Sequence, residues 1–246
     1  MNSYSYSNVN GSLSIGGLVG SNSYGDVLNS YSVSNVFGVN DVGGLVGSNA
    51  NSDVLNSHSS SNIFGVNDVG GLVGSNYGEA GSDTYVKDSY SNSYVNGTRR
   101  IGGLIGSNIG YMYSSYIINS YSNSDVFGDE DVGGLVGLNS GDTDYSMGAV
   151  IENSFSVSNN VSGNTNIGGL VGHNSIVTYS LITNSQYFNS TNNPSLGIGL
   201  DANAQSINSQ NLVDYFYNVS NSPIVSNWNL SVWNFTGSDL PSLSSV

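Results

Sequence analysis

The sequence contains no cysteine and has almost no positive charge. The absence of cysteine excludes disulfide bonds, thiolate metal ligands and a cysteine nucleophile. Three Lys and Arg residues stand against 17 Asp and Glu residues among 246, which gives a formal net charge of −14. We therefore expect no nucleic-acid partner, because phosphate binding requires a basic surface. Binding to an anionic membrane surface is disfavoured for the same reason.

Long apolar runs and proline are also scarce. No segment reaches the ~20 apolar residues of a membrane span, so direct membrane insertion is not expected. The chain has three Pro, 33 Gly and 17 Tyr, a composition that favours strands joined by tight corners. Only 8% of the residues are charged, which is unlike the composition of a disordered tail.

One block of five residues recurs six times along the chain. It reads Gly-Gly-Leu, then Val or Ile, then Gly, and its copies begin at Gly16, Gly43, Gly70, Gly102, Gly133 and Gly168. Six positions after the start of each copy stands an Asn, namely Asn22, Asn49, Asn76, Asn108, Asn139 and Asn174. Regular repetition of this kind is typical of a stacked repeat protein.

A second block marks the other part of each unit. It is related to Asn-Ser-Tyr-Ser, and 14 positions separate it from the next Gly-Gly in five units and 15 in the last. The distance from the Asn after Gly-Gly to the following block instead varies between 7 and 14 positions. Nearly all insertions therefore fall at one corner, which indicates a coil with one variable edge.

The sequence thus predicts an all-β fold, a β-solenoid (β-helix) of about six coils with a C-terminal aromatic capping segment. We call a set of equivalent positions in successive repeats a column. We expect about three short strands per coil, because columns of β-branched residues alternate with columns of glycine. The repeats occupy 1–185, in units near 2–28, 29–55, 56–87, 88–118, 119–152 and 153–185. The cap is expected over 186–241, and a linker begins over 242–246. A structural role falls to the glycine pairs Gly16, Gly17, Gly43, Gly44, Gly70, Gly71, Gly102, Gly103, Gly133, Gly134, Gly168 and Gly169.

Two columns of the repeat are expected inside the solenoid. The Asn residues after Gly-Gly would form ladders of amide hydrogen bonds between coils. Side chains alternate between the two faces of a strand, so Tyr31 is expected on the same face as Val27, four positions earlier. This favours a core position for the column of Tyr31. That column contains Tyr4, Tyr31, His58, Tyr90, Tyr121 and Phe155. The alternative is an outward strip of rings that could contact sugars or a partner.

The motifs resemble those of GLUG-motif repeat proteins of bacterial and archaeal surfaces. The GGLVGSN blocks and NSYSxSN segments carry the resemblance, together with a closing region around Tyr187-Phe188-Asn189, Trp228, Trp233-Asn234-Phe235 and Pro241-Ser242-Leu243. The resemblance implies a secreted, adhesin-like or protease-associated repeat region, part of a longer chain. It implies no catalytic residues.

The variable corner holds the candidate ligand-binding residues. Tyr-rich loops on one edge of a rigid scaffold are a common binding surface. The candidates are Tyr85, Tyr111, Tyr113, Tyr116 and Tyr145. The alternative is neutral loop variation on an inert face.

Carboxylates suggest a second candidate site. Asp41 and Asp68 fall in one column, and with neighbouring Asn oxygens they could begin a Ca²⁺ site, although no known calcium-binding signature is present. No other cofactor is expected. Arg100 falls in the same column between Asp68 and Asp131, which favours a ladder of ion pairs between coils over an anion site.

The prediction for function is a non-catalytic structural or adhesive module, extracellular or on the cell surface, within a larger prokaryotic protein. Its expected partners are host-cell or matrix surfaces, including glycans. One alternative is a carbohydrate- or glycoprotein-binding module that uses the Tyr-rich corner. A second is a polysaccharide-degrading β-helix enzyme, for which Asp129, Glu130, Asp131, Asp142 and Asp144 form the nearest carboxylate cluster.

Overall fold

The repeats stack as coils of a parallel β-solenoid in the computed structural model, which describes residues 2–79, 81–175, 179–201, 207–221 and 227–244. About six coils follow one another with almost no helix, so the predicted fold class is confirmed. Within the described ranges each full coil contributes one strand to each of five parallel sheets, instead of about three strands per coil as expected. The difference arises because strands of only two to six residues alternate with equally short corners.

We number the sheets in the order in which a coil visits them. Sheet 1 contains Tyr4–Ser5, Tyr31–Ser32, His58–Ser59, Tyr90–Ser91, Tyr121–Ser122, Phe155–Ser156, Gln186–Phe188 and Asn208–Gln210. Sheet 2 contains Asn8–Asn10, Asn35–Phe37, Asn62–Phe64, Tyr94–Asn96, Asp125–Phe127 and Val161–Ser162. Sheet 3 contains Leu13–Gly16, Asn40–Gly43, Asn67–Gly70, Arg99–Gly102, Glu130–Gly133 and Thr165–Gly168.

The remaining elements follow the Gly-Gly blocks or lie near the C-terminus. Sheet 4 contains Val19–Ser23, Val46–Ala50, Val73–Gly78, Ile105–Gly110, Val136–Ser140, Val171–Asn174 and Ile198–Asp201. Sheet 5 contains Val27–Leu28, Asp53–Leu55, Thr84–Lys87, Ser115–Ile118, Ala149–Glu152 and Ser180–Thr183. A 3₁₀ helix spans Val213–Tyr217, and an antiparallel pair joins Trp233–Asn234 to Ser242–Leu243.

The coil interior holds two apolar layers. Leu45 and Val46 pack with Val54 between sheets 4 and 5, and the same positions repeat from coil to coil. Val36 and Val42 form the second layer between sheets 2 and 3. At the second Gly of the first five blocks the backbone instead meets a serine hydroxyl from sheet 1 and a carbonyl oxygen of the next coil, and at Gly169 it meets the Tyr187 ring. The glycine pairs are therefore required by close backbone approach.

Positive backbone φ angles belong to other columns, mostly Asn and Asp. One column lies between sheets 5 and 1 with φ of 46–50°, at Asn29, Asn56, Asp88, Asn119, Asn153 and Asn184. The other bends the sheet 3 strands with φ of 50–58°, at Ser14, Asp41, Asp68, Arg100, Asp131 and Asn166. Asn and Asp enter this left-handed region more readily than most residues other than Gly. Asp41 and Asp68 thus have a backbone role.

The aromatic column does not lie inside the coils, although its spacing from Val27 had favoured that position. The left-handed residue before sheet 1 reverses the expected parity, so Ser32 and Ser59 point inward and are buried while the rings point outward. The rings stack on one another along the solenoid, with centroids 4.8–5.5 Å apart from Tyr4 to Phe155. Tyr4 at the N-terminal end is 65% exposed, whereas Phe155 is fully buried. We call this column the aromatic ladder.

A C-terminal segment buries the other end of the aromatic ladder. The described residues from 213 to 243, which we call the C-terminal strap, pack along the side of the solenoid. Trp228 stacks on Phe155 at 5.5 Å, and Trp233 lies 5.8 Å from Tyr121. The indole N–H of Trp228 donates to Asn153 O at 2.8 Å. The predicted aromatic cap therefore covers a flank of the coils, because that is where the apolar ladder faces outward.

The structure also differs from the predicted domain boundaries. Strands at Gln186–Phe188, Ile198–Asp201 and Asn208–Gln210 continue sheets 1 and 4 beyond residue 185. Ser242 and Leu243, which were expected to begin a linker, pair with Trp233–Asn234, because Leu243 is buried against the aromatic ladder. The last linker residues, 245–246, lie outside the described residues.

The Asn ladder is confirmed. Each side-chain amide N–H donates to the carbonyl oxygen of the next Asn at 2.7–3.0 Å, from Asn22 through Asn174. Asn174 in turn donates to the Asp201 carboxylate at 3.0 Å. Each Asn beyond the first is fully buried, so the ladder satisfies polar groups that would otherwise be costly.

We expect Gly44→Ala to destabilise the fold. A Cβ at Gly44 would clash with the Ser59 hydroxyl and the Gly71 carbonyl oxygen. We therefore expect the free energy of unfolding, measured in urea, to fall by about 1–3 kcal/mol or more. The control is Gly25→Ala, where the nearest atom to a new Cβ is Asn22 Oδ1 at 3.5 Å. Equal stability of the two variants would contradict the close approach of coils at the Gly-Gly block.

We expect His58 to make stability depend on pH. Burial between Tyr31 and Tyr90 lowers the pKa of His58 to about 4, below its ordinary value of 6.5. As pH falls from 6.5 to 4 the unfolded chain takes up a proton that the folded chain does not, so stability falls. Over this range the free energy of unfolding of the natural chain should fall by on the order of 2 kcal/mol more than that of the His58→Tyr variant. Urea unfolding at pH 7 and pH 4 measures this, and an equal loss in both proteins would refute it.

Candidate functional site

The variable corner lies between sheets 4 and 5, where successive insertions pack on one another. Gly78 and Gly110 end their sheet 4 strands, and a Cβ at either would clash with a carbonyl oxygen of the next insertion. The N–H groups of Tyr111 and Tyr113 both donate to Gly78 O, at 3.0 and 3.2 Å. Gly148 N–H donates to Ser114 Oγ at 3.0 Å. The corner is therefore a hydrogen-bonded surface shared by several coils.

Three tyrosines come together at this corner. The Tyr77 and Tyr111 rings are nearly parallel with centroids 6.2 Å apart, and Tyr145 meets Tyr111 edge to face at 5.6 Å. Tyr111 is 37% exposed and Tyr145 is 47% exposed. We call Tyr77, Tyr111 and Tyr145 the corner cluster. It contains two of the five tyrosines that the sequence proposed.

The other predicted tyrosines lie elsewhere on the corner. Tyr85 and Tyr116 are paired in register on sheet 5, and their rings stack at 4.8 Å. Tyr113 is exposed in the same insertion as Tyr111. The spacing predicted that these tyrosines lie near one edge of the solenoid, but it could not divide them between the insertions and the strands of sheet 5.

Carboxylates surround both groups of tyrosines. Burial raises the pKa of the Tyr77 hydroxyl, and the charges of Glu79 and Asp142 raise it further. Burial likewise raises the pKa of Tyr85, with Asp83 and Asp53 adding to the effect. Since a negative charge disfavours a second one nearby, these tyrosines remain neutral hydrogen-bonding groups.

A cleft connects the corner cluster to sheet 3. It has a volume of about 330 Å³ and is lined by Asp41, Asp68, Ser75, Tyr77, Arg100 and Ile109. Arg100 donates to an Asp68 oxygen at 2.5 Å, and the Ser107 hydroxyl donates to the other. Burial raises the pKa of Asp41, and the charge of Asp68 adds to this. The cleft therefore presents a neutralised ion pair beside a carboxyl group that gains a proton more readily than usual.

The proposed Ca²⁺ site is not assembled in this arrangement. Asp68 is already neutralised by Arg100, so Asp41 is the one carboxylate of the pair without an ion-pair partner. Among the described residues, no group of three or more His, Cys, Asp or Glu residues could hold a metal ion. Calcium binding at Asp41 and Asp68 stays a prediction, and it would require displacement of Arg100.

The expected ladder of ion pairs is present in modified form. Arg99 pairs with Glu130 at 3.0 Å on the surface of sheet 3. Asp131 pairs with His173 at 3.5 Å instead of with Arg100. Burial alone would raise the pKa of Asp131, but hydrogen bonds from His173 and Asn166 hold it below its usual value.

The carboxylates considered for a polysaccharide-degrading enzyme lie on two different edges of the solenoid. Asp142 is on the variable corner, whereas Glu130 and Asp131 are on sheet 3.

The comparisons with known proteins bear on the fold. No family model and no curated protein matches the chain. Among solved structures, the chain is similar to a candidate immunoglobulin A1 protease from Bacteroides ovatus. The TM-score is 0.67 at 17% sequence identity, and the match covers 98% of this chain and 75% of the other. The likeness supports the β-solenoid architecture.

The prediction that the chain is not an enzyme is contradicted by this comparison. A protein with this fold carries the name of a protease, so the architecture does not exclude catalysis. The prediction relied on a family defined by its scaffold and on the lack of a recognisable nucleophile and base. In the described part of the chain, no helix is long and apolar enough to cross a membrane.

We expect Arg100→Met to change both stability and the titration of Asp41. The Arg100 charge lowers the pKa of Asp41, so its removal should raise that pKa further above its usual value. Asp68, which is buried, would lose its partner, and the fold should lose about 1–3 kcal/mol. Carboxyl-carbon NMR titration and urea unfolding measure the two effects.

The control for this experiment is Arg99→Met. Arg99 also pairs with a carboxylate, but both side chains of that pair are about half exposed. Loss of this pair should lower the free energy of unfolding by less than about 1 kcal/mol and leave the pKa of Asp41 unchanged. If the Asp41 titration were the same in the natural chain and in Arg100→Met, the proposed electrostatics of the cleft would be wrong.

Proposed function

We propose that this chain is a structural and adhesive repeat module of a larger secreted or cell-surface protein, of the GLUG-motif type. The observation that carries the proposal is the contrast between the coils and their variable corner. The coils repeat a buried ladder of Asn residues, whereas the corner presents exposed tyrosines on packed loops. Rigid scaffolds with variable edges are well suited to binding. The solenoid neighbour in Bacteroides ovatus supports this proposal weakly, at the level of fold.

At a finer level, we propose that the corner cluster contacts glycans or glycoproteins of a host-cell or matrix surface. Sugars bind to aromatic rings through their apolar faces, with hydrogen bonds to nearby polar groups. Tyr111 and Tyr145 are exposed and meet edge to face, and Glu79 and Asp142 supply hydrogen-bond acceptors nearby. The adjoining cleft adds Ser75 and Asp41.

The aromatic ladder is less suited to this role. Its rings stack with interplanar angles of 1–14°, so each face within the ladder is occupied by the next ring. Only ring edges remain for a ligand along most of its length. The C-terminal strap also covers Tyr121 and Phe155. These contacts favour the corner cluster over the ladder as the glycan site.

A glycan array and a cell-adhesion assay test the proposal. We expect the double variant Tyr111→Ser/Tyr145→Ser to lose about tenfold or more in affinity, since two aromatic contacts contribute about 0.5–1.5 kcal/mol each. The control is Tyr94→Ser on sheet 2, where the ring has the same 37% exposure as Tyr111. Absence of any bound glycan, or an equal loss in the control, would overturn the glycan-binding role.

A further inference from the structure

The charges on the insertions that form the corner all have the same sign. Glu79 and Asp142 act on Tyr77, and the insertions at the corner contain no Lys or Arg. Arg99 and Arg100 lie on sheet 3 and are paired with Glu130 and Asp68. Lys87 ends a sheet 5 strand, on the side of the corner that carries Tyr85. Within the described residues, the corner cluster therefore has carboxylates beside it and no unpaired cation from its own insertions.

The position of the Asp142 carboxylate is fixed by the backbone. Its Oδ1 accepts the N–H groups of Asp144 and Tyr145, at 2.6 and 3.2 Å. The N–H of Asp142 donates to Met147 O at 2.9 Å and closes the same loop. The negative charge is thus held next to the backbone of Tyr145, whose ring is the most exposed of the corner cluster. The Glu79 backbone is anchored by its N–H, which donates to Asn51 Oδ1 at 3.0 Å, and its side chain is exposed.

We infer that Glu79 and Asp142 determine specificity at the corner cluster, which accepts neutral glycans and rejects acidic ones. The inference rests on the proposed function of this site. A carboxylate of a sialic or uronic acid brought to the cluster would face two like charges without a cation to pair with it. Arg100, the nearest arginine of the adjoining cleft, is already bound to Asp68. Neutral hydroxyl groups would instead donate hydrogen bonds to the same carboxylates.

Paired oligosaccharides with one backbone, neutral and sialylated, test the inference on an array and by biolayer interferometry. The natural chain should bind the sialylated member roughly tenfold or more weakly, because uncompensated like charges oppose binding. The variant Glu79→Gln/Asp142→Asn should bring the two affinities close together. Asn keeps the oxygen that accepts from Asp144 and Tyr145, so the loop should be retained. The Tyr77 pKa, measured by NMR, should fall in this variant and report the loss of the two charges directly.

The control variant Asp214→Asn/Asp239→Asn removes the same net charge from exposed positions outside the corner. It should leave the preference for the neutral member unchanged, since the effect is local. Equal or stronger binding of the sialylated member by the natural chain would overturn the inference and leave the glycan-binding role intact. An unchanged preference in Glu79→Gln/Asp142→Asn would also overturn it. Failure to bind either member would overturn the proposed function, and this inference with it.

Discussion

In-register stacking of parallel coils is the constraint on which the rest of the structure depends. Each residue of a coil lies above its equivalent, about 4.8 Å away, so a column accepts only side chains that interact favourably with copies of themselves. Amides meet this condition through hydrogen bonds, hydroxyls through contacts with backbone N–H groups, and rings and aliphatic groups through stacking. Like charges meet it poorly, as where burial and the charge of Asp68 together raise the pKa of Asp41 one coil away. The low charge of the chain follows from this constraint, and where charges share a column with opposite ones they pair between coils, as Arg100 does with Asp68.

The same constraint explains how much of the fold could be predicted. Column identity is visible in the sequence, so the solenoid, its coil number, the Asn ladder and the variable corner followed from spacing alone. Whether the side chains of a column point into or out of the solenoid depends on the backbone angles between strands. Asn29 and its equivalents have a left-handed conformation, which turns the rings of Tyr31 and Tyr90 outward. The expectation of a core position had assumed an extended backbone at these residues. The C-terminal strap has no repeat, so its contacts with the aromatic ladder had no signal in the sequence.

For the candidate site, the sequence located the edge but not the grouping of its residues. Insertions after the ladder Asn showed where tyrosines could vary, and the structure brings Tyr111 and Tyr145 together while Tyr85 pairs with Tyr116 on another sheet. Tyr77 joins the corner cluster from the end of a regular strand, and its approach to Tyr111 depends on where the next insertion folds. That fold is determined by contacts at Gly78 that depend on the neighbouring coil, which no local pattern encodes.

The corner is also where the stacking constraint is relaxed, and this links the architecture to the chemistry of the site. Insertions of different length do not place equivalent residues above one another, so the carboxylates of Glu79 and Asp142 can both act on Tyr77 without forming a column. The fold therefore permits different chemistry at its edge while its coils remain uniform, and a protein named for protease activity can share the same solenoid. In this chain the edge combines exposed rings with unneutralised negative charge. The proposed ligand would supply apolar faces and hydrogen-bond donors without adding a negative charge of its own.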